Sequence, residues 1–143
     1  MEDGKRKEFR KLLSTLDAER ELGQFEERER LLERNRQVYA FMDLKKEVIL
    51  PTLRSLMIEI DRKGHLTRLW EKTPEKVRFD VQIQTREPKR GALELSLHAK
   101  EAKLKVDYGW SSGDIEHETY SLADIDPAFV TDRLMHLLRG LLT

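Results

Sequence analysis

Val77-Arg78-Phe79-Asp80-Val81-Gln82-Ile83 decides how this chain is read. Apolar and polar residues alternate strictly over seven positions, which is the period of a strand with one face in a core. The same beat returns twice. Leu93, Leu95, Leu97 and Ala99 alternate with Glu94, Ser96, His98 and Lys100, and Leu104, Val106, Tyr108 and Trp110 alternate with Lys105, Asp107 and Gly109. A less regular strand is expected before them, around 66–71, and a short one after them, near 116–122. Glu87-Pro88-Lys89-Arg90-Gly91, Lys100–Lys103 and Ser111-Ser112-Gly113-Asp114 supply turn chemistry between the runs. Connections this short impose antiparallel pairing in chain order, so the spacing predicts a meander of four or five strands.

Outside this block the period changes to 3.6. Upstream, Val38, Phe41, Met42, Val48, Ile49, Leu53, Leu56, Met57 and Ile60 mark one wide helical face, interrupted only by Lys45. Pro51 sits inside that face and predicts a kink rather than a break, because the apolar phase runs through it. Gly64, just past the last periodic residue, is a C-terminal stop. Downstream, Asp126 has the chemistry of an N-cap and Pro127 that of a first helical residue. Phe129, Val130, Leu134, Leu137, Leu138 and Leu141 then form a buried helical face, with Met135 and Leu142 off it. Two helices on the apolar side of an antiparallel sheet make a two-layer α+β fold. The C-terminal helix is expected on the same sheet face as the helix before the strands.

Residues 1–36 differ from both. They hold ten basic and ten acidic side chains and no proline. Phe9, Leu12, Leu13 and Leu16 keep helical spacing, as do Leu22, Phe25, Leu31 and Leu32, but the phase slips between Leu16 and Leu22, close to Gly23. The reading is one long helix with a weak point, or two helices broken near 17–24. Leu22-Gly23-Gln24-Phe25-Glu26-Glu27 resembles the inter-helix turn of a tetratricopeptide repeat over about a dozen residues. It departs from that pattern at Arg28, where a small residue belongs, and no second copy follows. The resemblance implies an antiparallel helix pair over residues 5–50. The division expected is a charged, coiled-coil-like extension over 1–36 and an α+β domain over 37–143.

Composition bounds the function. The chain has 143 residues with 27 basic and 27 acidic side chains, and no cysteine. Zinc–thiolate sites, disulfides and thiol nucleophiles are excluded. Balanced charge disfavours a general polyanion binder. No apolar run reaches the roughly 20 residues of a membrane span, and the N-terminus lacks a signal-peptide core, so a soluble cytoplasmic protein is expected. There is no phosphate-cradling glycine loop, no nucleophile elbow and no metalloprotease helix. Neither a catalytic residue, a cofactor nor a metal is expected.

Two functions compete. A narrow apolar stripe on a charged helix is the pattern of a coiled-coil seam. Phe9, Leu12, Leu16, Leu22, Phe25 and Leu32 are therefore the expected interface of a self-associating interaction module, a homodimer that would also hold a protein partner whose identity is open. The alternative places a small ligand or nucleic acid on the polar sheet face, at Arg78, Asp80, Arg86, His98 and Lys105. There, His98 is expected opposite Asp80 and near Lys105, and an Asp–His pair can orient an imidazole. Nucleic acid is disfavoured because Phe79, Tyr108 and Trp110 fall on the other face. His117, between Glu116 and Glu118, is expected to point away from both by strand alternation. His65 and His136 sit near helix C-termini, where a cation is favoured without further function.

Overall fold

A computed structural model describes residues 2–142 of the chain. It divides into two compact units, Met1–Arg36 and Gln37–Thr143. The first helix, α1, spans Glu2–Leu44, so the first unit is a single helix. Gly23 stays helical, and a Cβ placed there would meet nothing within 4 Å. The break near 17–24 is therefore absent, and so is the turn that the tetratricopeptide-like stretch implied. One glycine costs about 1 kcal/mol in a helix. Ion pairs one turn apart oppose that cost, Arg20 to Asp17, Arg30 to Glu27 and Arg36 to Glu33.

The second unit contains the rest of the helical segment. A π-helical turn over Lys45–Ile49 leads into α2, Leu50–Arg62. The backbone N–H of Leu50 reaches back to the carbonyl of Lys45, one residue further than in an α-helix. This is how Pro51 is accommodated: its ring would crowd the carbonyl of Glu47, and the wider turn lies at that position. Lys45, the one polar residue of the apolar face, is only 5% exposed. Its Nζ donates to the Pro74 carbonyl at 2.8 Å and pairs with Glu71 at 2.8 Å, so the buried ammonium is satisfied. Gly64, at φ +88°, closes the helix with its N–H on Asp61.

Five strands follow: β1 Leu66–Thr73, β2 Lys76–Ile83, β3 Lys89–His98, β4 Lys103–Trp110 and β5 Ile115–Ser121. They form one antiparallel sheet in chain order. The last helix, α3, spans Pro127–Leu142. The Phe129 N–H donates to the Asp126 carboxylate at 2.7 Å, so Asp126 caps it as its sequence position predicts. Val77, Phe79, Val81, Leu93, Leu95, Leu104, Val106 and Tyr108 are buried on one sheet face with Phe41, Ile49 and Leu53 of the first helical layer and Val130, Leu134, Leu137 and Leu141 of α3. Helix and sheet thus form two layers of an α+β fold.

Gly140 shows how tightly α3 docks. A Cβ there would lie 2.4 Å from the Trp110 indole nitrogen, which donates to the Leu137 carbonyl at 2.9 Å. Only a glycine lets that indole reach the helix backbone.

The register departs from expectation in one respect. β3 begins at Lys89, inside the stretch read as a turn, because Ile83 pairs with Lys89 and the loop is residues 84–88. Asp80 consequently lies opposite Ala92, and His98 falls beyond the last β2 pair, Lys76 with Ser96; on its other side His98 faces Lys103 of β4, not Lys105. The Asp80–His98 pair does not exist.

Candidate functional site

Three features of the described residues have the chemistry to bind something. The first is the outer sheet face. Register places Arg68, Trp70, Arg78, Asp80, Gln82 and Arg90 side by side across β1–β3. The Arg68 guanidinium lies 4.5 Å from the Trp70 ring centroid, a cation–π distance. Asp80 accepts from the Trp70 indole at 3.0 Å and from Arg78 at 3.0 Å, while Arg90 donates to Gln82 at 3.0 Å. Together they line an open depression of about 550 Å³. Of the five residues expected on this face, Arg78 and Asp80 are brought together here. Lys105 lies on the same face but two strands away, 3.8 Å from Asp107. His98 closes β3 and faces Glu101, and Arg86 lies in the loop between β2 and β3, off the sheet. Trp70 escaped the sequence reading because β1 alternates poorly. Its partner across the strands, Arg78, fixes it to the polar side.

The second feature lies at the other end of the sheet, on the face that carries α3. β5 turns Glu116, Glu118 and Tyr120 inward, while His117 points out and meets Asp107 at 2.5 Å. The expectation that His117 avoids both glutamates is met. The glutamates meet α3 instead. His136 Nε2 lies 2.7 Å from Glu116, and Arg133 pairs with Glu118 at 2.9 Å and also contacts the Tyr120 hydroxyl, which itself contacts Glu118. One ligand atom each from Glu116, Glu118 and His136 lies within 4.8 Å of the others, a spacing that could hold a metal ion. Tyr108, opposite Glu116 in the register, is 1% exposed, and its hydroxyl lies beside Glu118 and Arg133. Burial, reinforced by the Glu118 carboxylate and opposed by Arg133, pushes that phenol well above its ordinary pKa of 10.0. Sequence reading missed this cluster because its parts lie about twenty positions apart. The signal was there in β5, whose inward positions are Glu116 and Glu118 where apolar residues belong.

The third feature is the helix of the first unit. Phe9, Leu12, Leu16, Leu22, Phe25 and Leu32 are each between 51% and 63% exposed. Every residue from Asp3 to Arg36 is exposed. In an unbroken helix each residue advances by about 100°. Phe9, Leu12, Leu13 and Leu16 therefore share one side, and Leu22, Phe25 and Leu32 share a roughly opposite one.

No helix among the described residues is long and apolar enough to cross a membrane. No family model, curated protein or solved structure matches the chain.

Proposed function

We propose that the protein is a non-enzymatic interaction module that associates with further copies of itself through the helix of residues 1–36. One observation carries this reading: large apolar side chains recur at helical spacing along that helix, and all of them are exposed. A lone helix gains its stability mostly by packing an apolar face, and such faces on soluble proteins mark interfaces. Charge supports a second copy as the occupant. Residues 5–16, around Phe9 and Leu12, carry five basic and one acidic side chain, whereas residues 17–27, around Leu22 and Phe25, carry five acidic and one basic. The basic segment of one copy therefore matches the acidic segment of another in sign, and each brings a group of exposed apolar residues. A dimer using one such pairing leaves a free side at each end, so longer assemblies are expected at high concentration.

Light scattering on the full chain tests this. A mass above 16.9 kDa that falls to that of a single chain in the Phe9→Glu/Leu12→Glu variant supports it. A single-chain mass for the unaltered protein overturns it.

The outer sheet face supports a second reading. Trp70 with Arg68, Arg78 and Arg90 offers a ring for stacking and guanidinium groups for phosphate, the combination that binds nucleotides and single-stranded nucleic acid. Trp70 fluorescence titrated with oligonucleotides at low salt would saturate if this is correct, and the response would weaken as salt rises.

A further inference from the structure

A further concavity opens where α2, β2 and α3 all finish. Ile60 lies in the last turn of α2, Ile83 closes β2, and Leu138 and Leu142 belong to the last turns of α3. These four side chains line an open groove of about 710 Å³, a volume in the range of small-molecule sites. Ile60, Ile83 and Leu138 are partly buried against the core, whereas Leu142 is 79% exposed. All four are aliphatic, so this wall offers no ring to stack on and suits a hydrocarbon chain. The other side of the groove is cationic. Arg62, Lys63 and His65 line it around the turn at Gly64. Neither Arg62 nor Lys63 has a carboxylate partner among the described residues. The Gln84 N–H donates to His65 Nδ1 at 3.0 Å, so the neutral ring carries its proton on Nε2 and keeps a donor to offer. We propose that this groove binds a free medium-chain fatty acid, with its chain along the four aliphatic residues and its carboxylate at Arg62, Lys63 and His65.

Charge selects the head group. Two unpaired cations face a single acid on the rim, Glu59, so the groove favours an anion over an alkylammonium. Helix C-termini repel anions through their free carbonyls. Here the carbonyls of Ile60 and Asp61 already accept from the N–H groups of Lys63 and Gly64, and Arg139 lies in the last turn of α3. A lipid surface is a poorer occupant than a free acid. Of the four aliphatic residues only Leu142 stands out into solvent, whereas a surface anchor needs a broad apolar face.

The test is calorimetric titration of the full chain with sodium decanoate below its micelle-forming concentration. The expected result is saturation at one molecule per chain, with dodecanoate about tenfold tighter for its two extra methylenes. Decylamine should not bind. Leu142→Asp and Arg62→Gln/Lys63→Gln should each weaken decanoate by at least tenfold, and Glu59→Gln should tighten it about twofold. These positions are exposed, so the variants keep the fold, and a thermal melt confirms that they do. Leu12→Glu, on the helix of the first unit, should leave binding unchanged. NMR gives a second readout: the methyl groups of Ile83 and Leu138 should shift on adding decanoate, and those of Val106 should not. Absence of saturable binding overturns the proposal. So does equal binding of decylamine, binding that survives Leu142→Asp, or binding lost with Leu12→Glu. Co-sedimentation with phosphatidylglycerol vesicles in the absence of decanoate binding would assign the groove to a lipid surface and overturn it as well.

Discussion

Helix α1 over residues 2–36 and helix α3 both repeat leucine and phenylalanine at helical spacing, yet one leaves those side chains exposed and the other buries them. Width of the stripe accounts for the difference. In α3, six apolar positions share one broad face, and that face meets the sheet. In residues 2–36, charges surround small apolar groups that change sides halfway. A face too narrow to join a core can still match another face of its own kind, so the same residue types build a domain in one place and an interface in the other.

Substitutions can break or sharpen this contrast. Phe79→Ala should destabilise the α+β domain most, by about 3–5 kcal/mol in denaturant unfolding, whereas Phe9→Ala should leave its unfolding midpoint unchanged. Equal losses from both would mean that Phe9 contributes to a core. Lys45→Ala should cost about 2–3 kcal/mol, since it removes the buried donor to Pro74 and opens a hole beside the π turn. Gly140→Ala should cost about 1–3 kcal/mol and shift Trp110 fluorescence, because the added methyl displaces the indole. Asp126→Ala should cost about 1 kcal/mol through loss of the helix cap.

Tyr108 gives the smallest effect at neutral pH and a distinct one in alkali. Its folded-state pKa is raised, chiefly by burial, so the folded state keeps a proton that the unfolded state loses. Stability from this group is fully present below the ordinary tyrosine value of 10.0 and declines as pH rises beyond it. Tyr108→Phe should therefore unfold less steeply with rising alkaline pH than the unaltered chain. Identical alkaline profiles would show that the phenol is not held neutral.

Alternation made the sheet legible. Val77, Phe79, Leu95 and Val106 all point into the core, and Asp126-Pro127 starts the last helix where the cap chemistry places it. Local rules of this kind act over a few residues, so a sequence displays them. Register did not yield to the same reading. Where β3 begins depends on how five loop residues fold, and that loop set Asp80 opposite Ala92 and left His98 beyond the end of β2. Pro51 announced irregularity but not its form, since a kink and a π turn both spare the ring. The Glu116–Glu118–His136 cluster and the Trp70 face each arise from residues that meet only after the strands pair and α3 docks. Nor does spacing alone tell whether Leu16 and Leu22 face one way or two. That follows from the helix being unbroken at Gly23.

The solution mass of the full chain addresses the main idea most directly. Sedimentation over a range of concentrations should give species heavier than 16.9 kDa, growing with concentration, and Leu22→Glu/Phe25→Glu should return them to a single chain with the domain's unfolding midpoint intact. A single-chain mass at every concentration would contradict it.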